Sequence, residues 1–522
     1  MKKIFKYITV VSLAGLTLSS CNLDLYPEAQ ISYDEDKPYF ELEADVEGAH
    51  NTVYAYFRST CGGSMAYISD LEFQGFNAKI DFGNRAGSIH RTDDSFTASD
   101  TYVEGIWSAY YTAISRYNVI IAAADKVDSE SELYAHAQFV KAEALIARAH
   151  SYLQLARYYA PAYDENTASE DLCVPLVLVY DQNARPARNT NAEVYVQIAK
   201  DLEDARVIFE QESSEEWVED CAVASNYFTT DVISFLQARV LLDTGDYQAA
   251  ADTAAAIIGR GLYSLSADAA ALANLNTKDT GTEAIMQCFA SLDESPNGYS
   301  VFIGYSKDKK SPTADSYQPD FIPSKVLIDS YESSDYRRSA WYELSGTASP
   351  LVPVKNGNNG AYYAGINIFS KYKGNSEYSS SNVQNGACAA KPYLISELYL
   401  IAAEGYFEAG NTSNANKYLS QLQHGRGAST TAANAANIQK EWFRETVGEG
   451  LYLSCLKRWH TGTVARTAQA AALSNNLVCV LNGGDDSYQG KVIEADGKEV
   501  VWPIPSYEIR CNSYLEQNKE WK

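Results

Sequence analysis

Residues 231–260 read DVISFLQARVLLDTGDYQAAADTAAAIIGR, and this stretch decides the fold. Val232, Leu236 and Val240 recur every fourth residue, which stacks apolar side chains on one helix face. Thr244-Gly245-Asp246 interrupts the pattern, because glycine at a helix end can take the left-handed conformation that a Cβ penalises. Tyr247, Ala250, Ala251, Ala254 and Ile258 then return at helical spacing, and the alanines let two backbones approach closely. The stretch predicts two helices joined by a tight turn.

One hairpin cannot bury its own apolar face, and the chain offers the pattern again. Leu394, Leu398, Ile401 and Gly405 precede an Ala409-Gly410-Asn411 turn, and Ala415, Tyr418, Leu419 and Leu422 follow it. Ala238, Gly245, Tyr247 and Ala250-Ala251 look like a tetratricopeptide (TPR) repeat, whose helix pairs must stack on neighbours. Further helices are expected over 41–57, from Trp107 to Ile121 and from Phe139 to Ala156. Another follows a Thr190/Glu193 capping box, and a last one runs from Ile438 to Trp459. Trp107 falls in register with its apolar stripe, so it is expected in the core rather than as a sugar platform. The fold class is therefore mostly α, a TPR-like helix-pair scaffold (α-α superhelix) with a long irregular loop-rich insertion and few short strands.

Outside the helices two stretches lose all periodicity. Cys61 to Thr101 is rich in glycine and aromatics, and Ala271 to Ala390 is rich in Gly, Ser, Asn and Tyr. An irregular segment as long as the second, in a compact protein, either carries function or hides elements that the pattern misses. The chain holds 39 tyrosines against 17 phenylalanines, and tyrosine pairs an apolar ring with a polar tip suited to wet binding surfaces. A net charge of −25 argues against nucleic acid, which needs a basic footprint.

Lys2, Lys3 and Lys6 followed by the apolar run from Ile8 to Leu18 form a targeting segment. Leu18-Ser19-Ser20-Cys21 resembles a bacterial lipoprotein box, cleaved before Cys21, which would receive the lipid. No other stretch approaches the 18 or more apolar residues of a membrane span. Eight cysteines follow Cys21, with no CxxC pair and no zinc-ligand spacing. Export permits disulfides among them, although a domain this large does not require any.

Four passages resemble the SusD/RagB family of outer-membrane lipoproteins from Bacteroidetes. The lipobox leads into Leu23-Asp24-Leu25-Tyr26-Pro27; residues 148–176 are similar to a family helix and its Val-Pro-Leu sequel. Glu449, Gly450, Leu456, Arg458 and Trp459 match a second family helix, with Tyr452 and Cys455 standing where the family has Arg and Asp. Pro503, Ile504, Pro505, Glu508, Ile509, Asn512, Leu515, Gln517 and Asn518 match the family's closing segment. The resemblance implies a signal peptide over 1–20, a lipidated tether over 21–40 and an N-terminal helical region with TPR-like units over 41–270. An irregular aromatic region over 271–390 and a C-terminal helical region with an extended tail over 391–522 complete the division. It also implies a surface-exposed, lipid-anchored protein of the outer membrane. Such a protein would bind nutrient glycans and deliver them to a SusC-like TonB-dependent transporter.

The residues offer no competing chemistry. His-Glu-x-x-His, Gly-x-Ser-x-Gly and a helix-opening Gly-x-Gly-x-x-Gly are all missing from the sequence, and nothing selects a glycosidase pair among 67 acids. No catalytic residue, cofactor or metal site is expected. Glycan binding asks for flat rings and polar partners on loops held by a rigid scaffold. The candidates are Tyr67, Phe73, Phe76, Phe82 and Arg85 from the first irregular stretch, with Tyr299, Phe302 and Tyr305 from the second. The same architecture could instead bind peptides, or act as a TPR scaffold that binds only proteins.

Overall fold

The computed structural model describes residues 39–78, 85–215, 217–296, 298–307, 315–346, 352–353, 362–473, 478–480 and 491–522. The two predicted hairpins are present. In the first, α5 (Thr230–Asp243) and α6 (Tyr247–Gly259) follow α1 (Glu43–Cys61), α2 (Thr101–Ala124), α3 (Tyr134–Tyr159) and α4 (Asn191–Gln211). After α7 (Ala269–Thr277), the second comprises α8 (Ile395–Glu408) and α9 (Thr412–Gly425), and α10 (Ala435–Glu445) and α11 (Tyr452–Trp459) complete the long helices. Both hairpin turns use glycine in the left-handed region, Gly245 at φ 82° and Gly410 at φ 79°. In each case the next residue, Asp246 or Asn411, caps the following helix through its side chain.

The hairpins stack on one another although a long insertion separates them in sequence. Gly405 of α8 makes this possible, because a Cβ there would lie 2.6 Å from the Tyr247 carbonyl oxygen and 3.0 Å from the Ala251 Cβ. The helices α2, α3 and α4 form the other half of the scaffold. Arg148 of α3 ties them together, donating two hydrogen bonds of 2.8 Å to Asp201 on α4 and one of 2.8 Å to the Asn118 Oδ1 on α2. The expected capping box closes the start of α4, where Thr190 N–H donates to Glu193 at 2.9 Å.

The residues shared with the family's helix and tail grip this scaffold. Arg458 donates to Glu404 of α8 at 2.7 Å, and the Trp459 indole N–H joins the same carboxylate at 2.9 Å. Trp502 is fully buried and donates from its indole to Glu72 at 3.1 Å, while Asn518 donates to the carbonyls of Tyr159 and Trp502. Tyr452 and Cys455 pack internally, with the Tyr452 ring 5.8 Å from Phe73 and 5.3 Å from Phe443.

The helix expected from Ile438 to Trp459 is broken in two. Gly448 and Gly450 both take positive φ, and Asp70 accepts their N–H groups at 2.6 and 3.1 Å. A Cβ on Gly450 would sit 2.1 Å from the Ala66 carbonyl oxygen. The apolar period runs straight through a point where backbone approach from a distant segment demands a turn.

Strands are short. Phe76–Ala78 pairs antiparallel with Phe321–Pro323, joining the two irregular stretches, and Tyr393–Leu394 pairs with Ala284–Met286. Val352–Pro353, Tyr362–Ala364, Ala470–Leu473 and Val478–Val480 form a four-stranded antiparallel sheet. Among the described residues no helix is long and apolar enough to cross a membrane.

Candidate functional site

The two irregular stretches predicted to carry recognition do meet. The register of their strand pair sets Phe76 opposite Pro323 and Ala78 opposite Phe321. Tyr67 lies 5.7 Å from the Tyr299 ring and 5.1 Å from Phe302, and Phe76 lies 4.7 Å from Phe302. The sequence therefore selects residues that share one place.

Their role differs from the expected one. Tyr67, Phe73, Phe76, Tyr299 and Phe302 are all buried, none more than 5 % exposed, so none is an open stacking platform. Loops without helical or strand hydrogen bonding along their length need a core of their own, and these rings supply it. Phe302 also packs edge-on to Phe369, and Phe73 sits against Tyr452. Tyr299 stacks on Tyr372 at 3.9 Å and lines an interior cleft of about 70 Å³, space for a few waters and not for a sugar ring. Burial pushes the hydroxyls of Tyr67, Tyr299 and Tyr372 above the ordinary phenol range, so all three remain neutral donors. Phe82 and Cys21 lie outside the described residues, as does the Tyr305 side chain; the Tyr305 backbone pairs with Tyr317.

Among the candidates whose side chains are described, Arg85 reaches the surface. Its side chain is 51 % exposed, and its Nε donates to Asp320 Oδ2 at 2.7 Å while Nη1 donates to Ser300 Oγ at 3.0 Å. The Asp320 side chain is only 6 % exposed, which fixes the pair from below. Tyr102 at the start of α2 faces the same corner; burial raises its hydroxyl and Arg85 opposes that shift. The result is a polar rim of guanidinium, carboxylate and hydroxyls above an aromatic floor. Asp320, Ser300 and Tyr102 escape sequence reasoning, since nothing local links them to Arg85.

Among the described residues, exposed rings stand away from this corner, two of them in one groove. An open groove of about 460 Å³ runs beside α1, lined by Asn51, Tyr54, Arg58, Asn226, Tyr227 and Phe289 among others. Phe289 is 52 % and Tyr227 38 % exposed. No periodicity distinguishes these two from the buried rings. For metals, the described residues bring Glu43, Glu47 and His136 within 4.8 Å of one another, but His136 already meets Glu43 through Nδ1 at 2.5 Å.

Comparison with known proteins matches the same architecture. Residues 38–224 match a family profile described as starch-binding and associating with the outer membrane, and residues 331–521 match the SusD family profile. The SusD-like protein P2 of Formosa agariphila is 24% identical over 461 residues, spanning 84% of this chain and 85% of that protein. A SusD superfamily protein from Bacteroides thetaiotaomicron superposes with a TM-score of 0.70 at 20% identity, covering 91% of this chain and 99% of its own. Surface glycan-binding protein A from Bacteroides fluxus gives a TM-score of 0.67 at 19% identity, covering 92% and 99%. The two profile matches lie on either side of residues 225–330, and with the mostly helical, TPR-like fold they establish that this chain belongs to the SusD/RagB family.

Proposed function

We propose that the protein is a surface-exposed, lipid-anchored lipoprotein that captures nutrient glycans, as oligo- or polysaccharide, and delivers them to a partner TonB-dependent transporter of the outer membrane. The carrying observation is the corner where Arg85, Asp320 and Ser300 join the two irregular stretches. A sugar presents hydroxyls that both donate and accept, and this rim offers a fixed guanidinium, carboxylate and hydroxyl on a rigid base. Phe82, three residues before Arg85, and Tyr305, next to Gly304, are the candidates left to supply a stacking ring. The outer-membrane description of the matched family and the glycan-binding relative support the substrate class and the location. The protein acts by binding and not by turnover.

Calorimetry of the lipid-free mature chain against a panel of glycans and peptides tests this. Saturable binding of one glycan class, together with co-purification of an outer-membrane barrel, is the expected result. Heat with peptides alone would replace the substrate class. Co-purification of a barrel with no small-ligand heat would leave a protein scaffold, and release of sugar from any glycan would reopen catalysis.

A further inference from the structure

The groove beside α1 is built before anything enters it. Glu143 of α3 is fully buried, accepts from the Tyr54 hydroxyl at 2.6 Å and meets His50 Nδ1 at 2.8 Å. The Tyr54 oxygen accepts the Phe228 N–H at 2.9 Å, which holds that segment against α1. Tyr227 thereby stands edge-on to Tyr54 at 5.1 Å and 5.2 Å from His50, with part of its ring open to solvent. The segment after strand Ala284–Met286 is tied on both sides. Arg58 donates to the Phe289 carbonyl at 3.2 Å and pairs with Glu294 at 2.5 Å, and the Asn226 amide donates to the Gln287 carbonyl at 2.8 Å. Phe289 is left exposed on this fixed backbone. Two open rings on pinned segments of one concave surface are a preformed contact.

The polar atoms around these rings decide what fits. Arg58 donates, the exposed Glu294 carboxylate accepts, and the Asn51 and Asn226 amides do both. An anion would meet Glu294 and a cation would meet Arg58, whereas a neutral hydroxyl can use either. An apolar helix or peptide face would strip water from the ion pair and the amides without replacing their hydrogen bonds. A pyranose ring meets both demands, with an apolar C–H face for the rings and hydroxyls along its edge. The groove volume of about 460 Å³ lies within the roughly 300–1,000 Å³ of small-ligand sites.

We infer that this groove is a second glycan contact, where a sugar ring stacks on Phe289 and Tyr227 and its hydroxyls pair with Arg58, Glu294 and the two asparagines. Arg85, Asp320, Ser300 and Tyr102 do not line it, so it is separate from the corner. The inference rests on the glycan reading of the function and not on the corner. Glu294 and Ser300 are six residues apart, so their backbones lie within about 22 Å of one another. A polysaccharide long enough to touch both contacts binds the second one intramolecularly, which multiplies its apparent affinity. A short oligosaccharide takes the two sites one at a time.

The test is calorimetry of the lipid-free mature chain with maltohexaose, laminarihexaose, xylohexaose and mannohexaose. The expected result is two molecules of one hexasaccharide per chain, falling to one in Phe289→Ala, whose melting midpoint should barely move because the ring is exposed. Phe289→Trp keeps a flat ring and should keep both sites. Its emission, less that of the native chain, should shift as the same hexasaccharide is added, which a merely structural residue would not show. A single site lost in Phe289→Ala and kept in folded Arg85→Ala supports the groove and removes the corner. Two sites in Phe289→Ala, or a single site lost only in Arg85→Ala, overturn the groove and leave the glycan reading standing. Heat with none of the four, native chain included, overturns both.

Discussion

Arg85 and Asp320 meet at 2.7 Å across the junction of two loop segments that lie far apart in sequence. The carboxylate is buried and the guanidinium half exposed, so the pair presents a fixed cation to solvent. Because the Asp320 carboxylate is buried, taking this cation away from it costs stability. The Arg85 guanidinium can also serve a ligand hydroxyl, where a charged hydrogen bond contributes about 1.5–3 kcal/mol. Arg85→Ala should therefore lower the melting midpoint and, in the protein that remains folded, weaken glycan affinity about tenfold or more. Calorimetry and a thermal melt on the same sample measure both. Unchanged affinity would remove this corner from the recognition surface.

Phe302 separates the buried floor from the exposed rim. It is fully buried against Tyr67, Phe76 and Phe369. Truncating a core phenylalanine costs about 3–5 kcal/mol through lost transfer energy and the cavity left behind. Phe302→Ala should shift the denaturant midpoint by that order, and any loss of glycan binding should track the fraction unfolded. Loss of binding at unchanged stability would return Phe302 to the role of a stacking platform.

The scaffold was legible because helix periodicity and turn chemistry are local. Val232, Leu236, Gly245 and Gly410 each declare their role within a few residues. The site was legible only as a neighbourhood. Tyr67 and Phe289 look alike along the chain, yet one is 5 % exposed and the other 52 %. What decides between them is which distant segment covers the ring, and a single sequence does not carry that information. The broken helix at Gly448–Gly450 has the same origin, since Asp70 and Ala66 impose the turn from far away.

Gly405 tests the stacking of the two hairpins. An added methyl would meet the Tyr247 carbonyl at 2.6 Å, and backbone cannot step aside as a flexible side chain would. Overpacking of this kind costs about 1–3 kcal/mol. Gly405→Ala should lower the melting midpoint despite alanine's better helix propensity, which an exposed control such as Gly259→Ala, with open space at its Cβ, isolates. Equal behaviour of the two variants would show that the hairpins do not pack this tightly.

A buried ion network sets the acid limit. Burial tends to raise Glu445, but Arg426 and Arg337 outweigh it and hold this carboxyl well below its usual 4.5; Glu441 is depressed in the same way by Arg337 and Arg444. A depressed folded-state pKa contributes stability that is present above the unfolded value and lost as pH falls toward the folded one. Stability should therefore decline as pH drops below about 4.5. Removing one partner from a buried pair costs about 3–5 kcal/mol, so Glu445→Gln should be strongly destabilised at neutral pH and flatter in acid. Urea titrations at several pH values measure this, and an unaltered acid limb in the variant would count against it.

Asp70 acts with the opposite sign. Burial pushes its carboxyl from 3.8 to about 7, against the lowering effect of the N–H groups of Gly450 and Gly448 that it accepts. A raised folded-state pKa contributes stability that is complete below the unfolded value and lost as pH rises through the folded one. The window therefore runs from about 4 to about 7, and ionisation above it works against the fold. Asp70→Asn removes the charge but keeps a side-chain oxygen that can accept from both glycines, so this variant should match the parent near pH 4. Near pH 8 it should be more stable, by an amount on the order of 4 kcal/mol if the full shift is expressed. Lys371 and Glu449 face the same carboxyl with opposing effects, and both carry over unchanged into the variant. Chemical denaturation at the two pH values reads the difference directly. A variant destabilised near pH 8 but not near pH 4 would mean that the Asp70 charge holds the Gly448–Gly450 turn, and the predicted gain would fail.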